Sequence, residues 1–113
     1  MRTFVFGLAI IVFVQAAAAA QNRASGNGML RACKNSLTER ADAKAFFCLG
    51  VIDTIRGMKK FYKQENAFCS PPEATTEQFM RVAIKFMEEN PAFLDRSFIA
   101  LSMVAFQKAW PCK

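Results

Sequence analysis

From Phe46 to Tyr62 the segment FFCLGVIDTIRGMKKFY places Phe47, Val51, Ile55, Met58 and Tyr62 at helical spacing, and Cys48 and Ile52 widen that stripe. This is the pattern of a helix buried around most of its girth, and it is the longest helix-periodic run past residue 20. Gly50, Thr54 and Gly57 form a strip of small residues along it. A glycine inside a helix costs roughly 1 kcal/mol relative to alanine, so two on one strip predict a second helix approaching closely there, with a bend as the alternative. Arg56, Lys59, Lys60 and Lys63 gather at the C-terminal end, where the helix dipole favours cations.

The remaining elements are shorter. Met29, Leu30 and Cys33 give an amphipathic pattern for a first helix ending near Asn35, joined to the long helix by the polar stretch from Ser36 to Asp42. After Tyr62, Pro71 and Pro72 exclude helix, and the composition is that of a loop. Thr75 stands three residues before Gln78, a capping-box arrangement that starts the next helix. There Phe79, Val82, Ala83, Phe86 and Met87 alternate with Gln78, Arg81, Lys85, Glu88 and Glu89, the cleanest amphipathic pattern in the chain, until Asn90 and Pro91 stop it. A fourth helix runs from about Asp95, as its cap, to Ala109; Phe98, Leu101, Ala105 and Ala109 line one side, and Ile99, Met103, Phe106 and Trp110 widen it. Strand patterns are absent. The prediction is an all-α fold, a small four-helix domain over residues 29–113.

The amino terminus does not belong to that domain. Met1 and Arg2 precede an apolar run from Phe4 to Val14 and an alanine tract ending at Ala20, the layout of a secretory signal peptide over residues 1–20, too short to span a bilayer. Cleavage after Ala20 leaves a mature chain from Gln21 to Lys113, with a loose polar arm at 21–28 and no further segment apolar enough to anchor it in a membrane. A domain of this size buries only about 60% of its unfolded surface, and the four cysteines supply what its core lacks. In an exported chain an even cysteine count reads as two disulfides.

Four cysteines allow three pairings, and spacing alone does not choose. If consecutive helices run antiparallel on short links, Cys33 and Cys48 meet at one end of the bundle, and Cys69 meets Cys112 where the fourth helix returns. The other pairings would have to reach along a helix, too far for a bond that needs alpha carbons within about 7 Å. Two disulfides so placed staple the domain.

Composition also narrows the chemistry. The chain has no histidine and no CxxC, so the usual general base and the usual zinc spacings are missing. Neither a catalytic constellation nor a metal or cofactor site can be assembled, and the expectation is a protein without enzymatic activity. With the leader removed, fourteen basic residues face nine acidic ones. That balance suits an anionic surface, but an exported protein without interleaved exposed aromatics is a poor nucleic-acid binder.

Several pieces together resemble the Rap/Tai family of periplasmic immunity proteins of type VI secretion: Leu30 to Cys33, the CLG of Cys48 to Gly50, FCSPPEATTEQF from Phe68 to Phe79, Asn90 with Pro91, and the ending Ala109, Trp110, Pro111, Cys112. Val51, Thr54 and Gly57 depart from the residues usual in that family. The resemblance implies a periplasmic, helical, disulfide-bonded, often dimeric protein that binds and blocks a secreted peptidoglycan amidase effector. The alternative is a periplasmic stress protein or acid-type chaperone, which the absence of histidine disfavours.

With the apolar stripes used in the core, a partner must be met by loops and helix ends. The turn from Glu88 to Arg96 carries Pro91 and Phe93, and a rigid turn with an aromatic loses little order on entering a cleft. In related inhibitors a helix-linking loop is thought to enter the amidase cleft, which points to the same turn. Glu89, Asn90, Phe93 and Asp95 are therefore the candidate contacts, with Lys59 and Lys60 steering association.

Overall fold

A computed structural model describes residues 25–38 and 40–113; the leader expected at 1–20 and the first part of the arm lie outside the described residues. Four α-helices follow one another: α1 (Gly26–Ser36), α2 (Ala43–Gly57), α3 (Thr76–Glu89) and α4 (Phe98–Ala109). No strand occurs among the described residues, so the fold is all-α as the periodicity predicts.

Helix α1 begins earlier than its apolar pattern, inside the stretch expected to be a loose arm. Ser25 is the reason: its side chain accepts a hydrogen bond from Gly28 N at 3.3 Å and caps the helix. The first turn is also tied to the far side of the chain. Gly26 N donates to Arg96 O at 3.0 Å, Asn27 N donates to Leu94 O at 2.7 Å, and Ser25 forms an isolated antiparallel bridge with Ser97. A Cβ on Gly26 would lie 2.5 Å from Leu101 Cδ1 and 3.0 Å from the Leu94 carbonyl oxygen, so only glycine lets the two backbones come this close.

Helix α2 is capped by Asp42, whose carboxylate accepts from Ala45 N at 2.9 Å. It ends at Gly57, and a separate 3-10 turn, Lys59–Phe61, carries the chain onward, so the single long helix expected to reach Tyr62 is broken after Gly57. Its burial also departs from expectation. Only Ala45, Cys48, Ile52 and Ile55 are buried, and Phe47, placed in the inward stripe by periodicity, is 54% exposed. A Cβ at Gly50 or Gly57 would meet nothing within 4 Å, so none of the described helices approaches the small-residue strip there. The physical reason is that α2 is apolar on nearly all sides, and periodicity cannot choose an inward face when every face qualifies. The cross-links choose it: Cys48 is bonded to Cys33 of α1, and Arg56 is hydrogen-bonded to the loop that leads into α3.

Helix α3 follows its pattern closely. Thr75 Oγ1 accepts from Gln78 N at 3.2 Å and Gln78 Oε1 accepts from Thr75 N at 2.8 Å, a complete capping box. Phe79, Ala83 and Met87 are buried as the pattern places them, but Met80 and Ile84 are buried too, while Val82 and Phe86 are only half-buried, so the inward face is rotated slightly from the expected stripe. Helix α4 starts at Phe98 rather than at a cap on Asp95, because Pro91–Phe93 forms its own 3-10 turn and Leu94 to Ser97 completes the reversal. Its inward residues are Phe98, Leu101, Ser102, Ala105 and Phe106, while Ile99 is 54% exposed.

The core condenses around aromatic rings. Phe79 and Phe106 meet edge to face with centroids 4.8 Å apart, Phe68 packs on both, and Trp110 lies 4.6 Å from Phe79. Two disulfides staple this arrangement, Cys33 to Cys48 and Cys69 to Cys112, the pairing that the antiparallel topology predicts.

One polar atom interrupts the core. Ser102 Oγ is buried and has no hydrogen-bond partner among the described residues. A hydroxyl desolvated without a partner costs roughly 1 to 3 kcal/mol, and alanine is also the better helix former. Ser102→Ala is therefore expected to raise the melting temperature by several degrees, at about 4 to 8 °C per kcal/mol for a domain of this size. Calorimetry of the oxidised protein checks it, and a lowered melting temperature would show that the hydroxyl has a partner after all.

Candidate functional site

The two candidate binding regions lie at opposite ends of α3. Lys59 and Lys60 follow α2, whose C-terminal turn is bonded to the start of α3, whereas Glu89, Asn90, Phe93 and Asp95 follow the other end of that helix. Fourteen residues at roughly 1.5 Å each separate the two groups by about 20 Å.

The basic end of α2 is less available than its composition implies. The Lys59 ammonium donates to Ser70 O at 3.2 Å and to Ser70 Oγ at 3.0 Å, and Arg56 Nε donates to Ala74 O at 3.1 Å. Arg56 also donates to Thr76 Oγ1, which in turn donates to Asp53 Oδ1 at 2.8 Å, with Arg56 and Asp53 3.7 Å apart. These side chains fasten α2 to the loop before α3. Tyr62 reinforces the join, donating its hydroxyl to Ile55 O at 3.1 Å, and burial raises its phenol above the usual tyrosine value. Lys60 is different: it is exposed, and its ammonium lies 5.1 Å from the Phe61 ring centroid.

The turn after α3 is held from within and from behind. Asn90 is half-buried, and its side-chain amide donates to Phe86 O at 2.8 Å, closing the end of the helix. Phe93 N donates to Asn90 O at 3.1 Å and Arg96 N to Phe93 O at 3.0 Å, while the carbonyls of Leu94 and Arg96 receive the first amides of α1. On this frame Glu89, Phe93 and Asp95 are exposed. The Phe93 ring is 38% exposed and carries the Arg96 guanidinium 4.6 Å from its centroid, an aromatic held in place with one side open to solvent. Glu89 lies 3.9 Å from Lys85 in a solvent-exposed pair of little energetic weight.

Sequence reasoning missed a group of exposed apolar residues on and just beyond α2. Phe46 is 63% exposed, Phe47 54%, Met58 45% and Phe61, just beyond the helix, 69%. The available signal was quantity: α2 holds more large apolar residues than one inward face can bury.

Among the described residues no group of three or more His, Cys, Asp or Glu side chains could hold a metal ion, all four cysteines are in disulfides, and no helix is long and apolar enough to cross a membrane. What the described surface offers is an aromatic turn, with Phe93 38% exposed, and exposed apolar residues on and just beyond α2.

Set against curated proteins and solved structures, the chain has no match in either. A family comparison does match: the description of the Rap1a immunity proteins fits residues 25–112, which run from the Ser25 cap through all four helices to Cys112 and take in both disulfides. The chain belongs to the Rap1a immunity protein family.

Proposed function

We propose that this protein is a periplasmic immunity protein, exported on the leader at residues 1–20, that neutralises a peptidoglycan amidase effector of type VI secretion by direct binding. The observation that carries the reading is the family match across residues 25–112. Inhibition then needs no chemistry from the inhibitor, which suits a chain without histidine. It needs a surface that blocks a cleft. The turn from Glu89 to Asp95 is the element proposed to enter it, because its backbone is already bonded to α1 and loses little freedom on binding. Phe93 is the apolar anchor, Glu89 and Asp95 flank it with charge, and Asn90 holds the turn's entry. Lys60 steers association, whereas Lys59 serves the fold through Ser70.

The test starts with the neighbouring genes: an amidase-like effector encoded there is expected, and titration of the processed protein against it, with peptidoglycan hydrolysis as the readout, measures inhibition. Phe93→Ala is expected to weaken binding by about tenfold or more, as for a central aromatic contact, with little change in melting temperature. Lys60→Glu is expected to slow association and leave dissociation nearly unchanged. A Phe93→Ala protein that melts earlier and binds as tightly as before would show that the turn is structural and that docking occurs elsewhere.

A further inference from the structure

Exposed apolar residues form one line along α2 and just past its end. Phe47, Gly50, Thr54, Met58 and Phe61 recur every three or four residues, which sets them on a single stripe roughly 21 Å long. Phe47 and Phe61 are more than half exposed, Met58 is 45% exposed, and the exposed ring of Phe46 stands beside the stripe. The one hydroxyl on it is turned back into the helix, where Thr54 donates to Gly50 O at 2.7 Å. An apolar patch of this kind on a small domain marks a contact.

Cations bracket the stripe. Lys44 lies one turn before Phe47, Lys60 and Lys63 flank Phe61, and all three are exposed. The ion pairs among the described residues take up Lys34, Arg56, Arg81 and Lys85, and leave Lys44, Lys60 and Lys63 without a carboxylate. The acids near them are engaged within the chain. Asp42 caps α2 by accepting from Ala45 N, and the exposed Asp53 stands at the edge towards α3, where it accepts from Thr76 Oγ1 at 2.8 Å and lies 3.7 Å from Arg56. Glu65 belongs to the next 3-10 turn, Gln64–Asn66, and Gln107 of α4 donates to its carbonyl at 2.9 Å.

We infer that α2 docks flat on an anionic phospholipid surface, with Phe47, Met58 and Phe61 entering the boundary between headgroups and acyl chains and Lys44, Lys60 and Lys63 meeting headgroup phosphates. A helix with aromatic and aliphatic residues along one side and lysines at the level of the headgroups is the form that lies in a membrane interface. It lies on the bilayer and does not cross it, since no helix among the described residues is long and apolar enough to span one. The lysines also choose between occupants. A second copy on this stripe would set lysine against lysine at both ends, whether the helices ran parallel or antiparallel, whereas a phosphate surface satisfies every one of them. Lys60, with its ammonium 5.1 Å from the Phe61 ring centroid, can hold its charge at the headgroups while the ring goes below. The helix is ready for the contact, because the bridge from Cys48 to Cys33 already fixes its other side to α1 and no folding has to accompany binding. None of these residues belongs to the turn after α3, so the inference goes beyond the effector reading.

Flotation of the oxidised, processed protein with vesicles tests it, using phosphatidylcholine alone and phosphatidylcholine mixed with phosphatidylglycerol. The protein is expected to float with the mixed vesicles at low salt, to stay behind with the neutral ones, and to be released as salt is raised. Two double variants separate the contributions. Phe47→Ser with Phe61→Ser is expected to weaken partition by about tenfold or more, for the loss of two inserted rings. Lys44→Glu with Lys63→Glu is expected to weaken it by at least as much, at roughly fivefold for each lysine lost from the surface. Ile99→Ser, at an exposed apolar position on α4, is the control and should leave partition unchanged. Far-UV circular dichroism and intact disulfides check that each variant is folded. A wild-type protein that ignores the mixed vesicles would overturn the proposal. Binding that the phenylalanine pair leaves unchanged would overturn it as well, since it would be adsorption by net charge alone. If vesicles are ignored and the phenylalanine pair instead abolishes effector inhibition or splits a dimer, the stripe belongs to that protein partner and lipid docking is wrong.

Discussion

Phe106→Ala is expected to lower the unfolding free energy of the oxidised protein by about 4 kcal/mol, within the range for truncating a large buried aromatic. Phe106 is fully buried, and its ring is where α4, α3 and the loop before α3 come together: Phe79 lies 4.8 Å away edge to face and Phe68 lies 5.4 Å away. Alanine there leaves a cavity and removes a partner from both rings. Since a small domain holds only about 5 to 15 kcal/mol in total, the variant should be close to half unfolded at modest denaturant concentrations. Urea unfolding measures it as a lower midpoint at an unchanged slope. Ile99→Ala on the same helix is the internal comparison. Ile99 is 54% exposed, and its truncation should stay within about 0.5 kcal/mol. Equal losses in the two variants would mean that α4 is rotated from the orientation described.

Replacing Cys69 and Cys112 together by serine is expected to cost a further amount of the same size, for a different reason. Both residues are exposed, so little packing is lost. What is lost is the restraint on the unfolded chain: a bridge across a sequence separation of 43 corresponds to about 4 kcal/mol by loop entropy. The Cys33 to Cys48 bridge spans only 15, about 3 kcal/mol by the same argument, but both of its cysteines are buried and their loss also opens the core. The two bridges should therefore respond differently to a mild reductant, with the exposed Cys69 to Cys112 bond opening first. Alkylation followed by peptide mass spectrometry at intermediate reduction reads out the order. Early appearance of labelled Cys33 and Cys48 would contradict it.

The parts of this fold that were legible in the sequence are those where one physical cause acts alone. Helix α3 has a capping box and an apolar stripe, and its start, its end at Asn90 and the burial of Phe79, Ala83 and Met87 follow from them, whereas Met80 and Ile84 take inward places that the pattern gave to Val82 and Phe86. The disulfide pairing follows because helix length excludes the alternatives. Helix α2 was misjudged because its inward face is set by partners outside it, a bridge from Cys48 and a side-chain network around Arg56, and not by its own periodicity. The start of α1 was hidden for the opposite reason. Ser25 and Gly26 look like punctuation in a polar stretch, and only their contacts with Leu94, Arg96 and Ser97 reveal a helix beginning. At the candidate site the turn from Glu89 to Asp95 was legible through Asn90, Pro91 and Phe93. Lys59 was not, since nothing near it in sequence announces Ser70 as its acceptor.

The fastening of α1 to the turn before α4 also sets a timetable. A chain that emerges amino end first brings out Gly26 and Asn27 early, yet the carbonyls that accept from their amides belong to Arg96 and Leu94. Cys69 likewise waits for Cys112, which follows it at a sequence separation of 43. Cys33 and Cys48, by contrast, can be oxidised while most of the chain is still to come. The small bridge is thus available early to the nascent chain, and the large one only once Cys112 has emerged. Until Leu94 and Arg96 have followed, the first turn of α1 has no seat, so this end of the domain is closed by a segment made about seventy residues later.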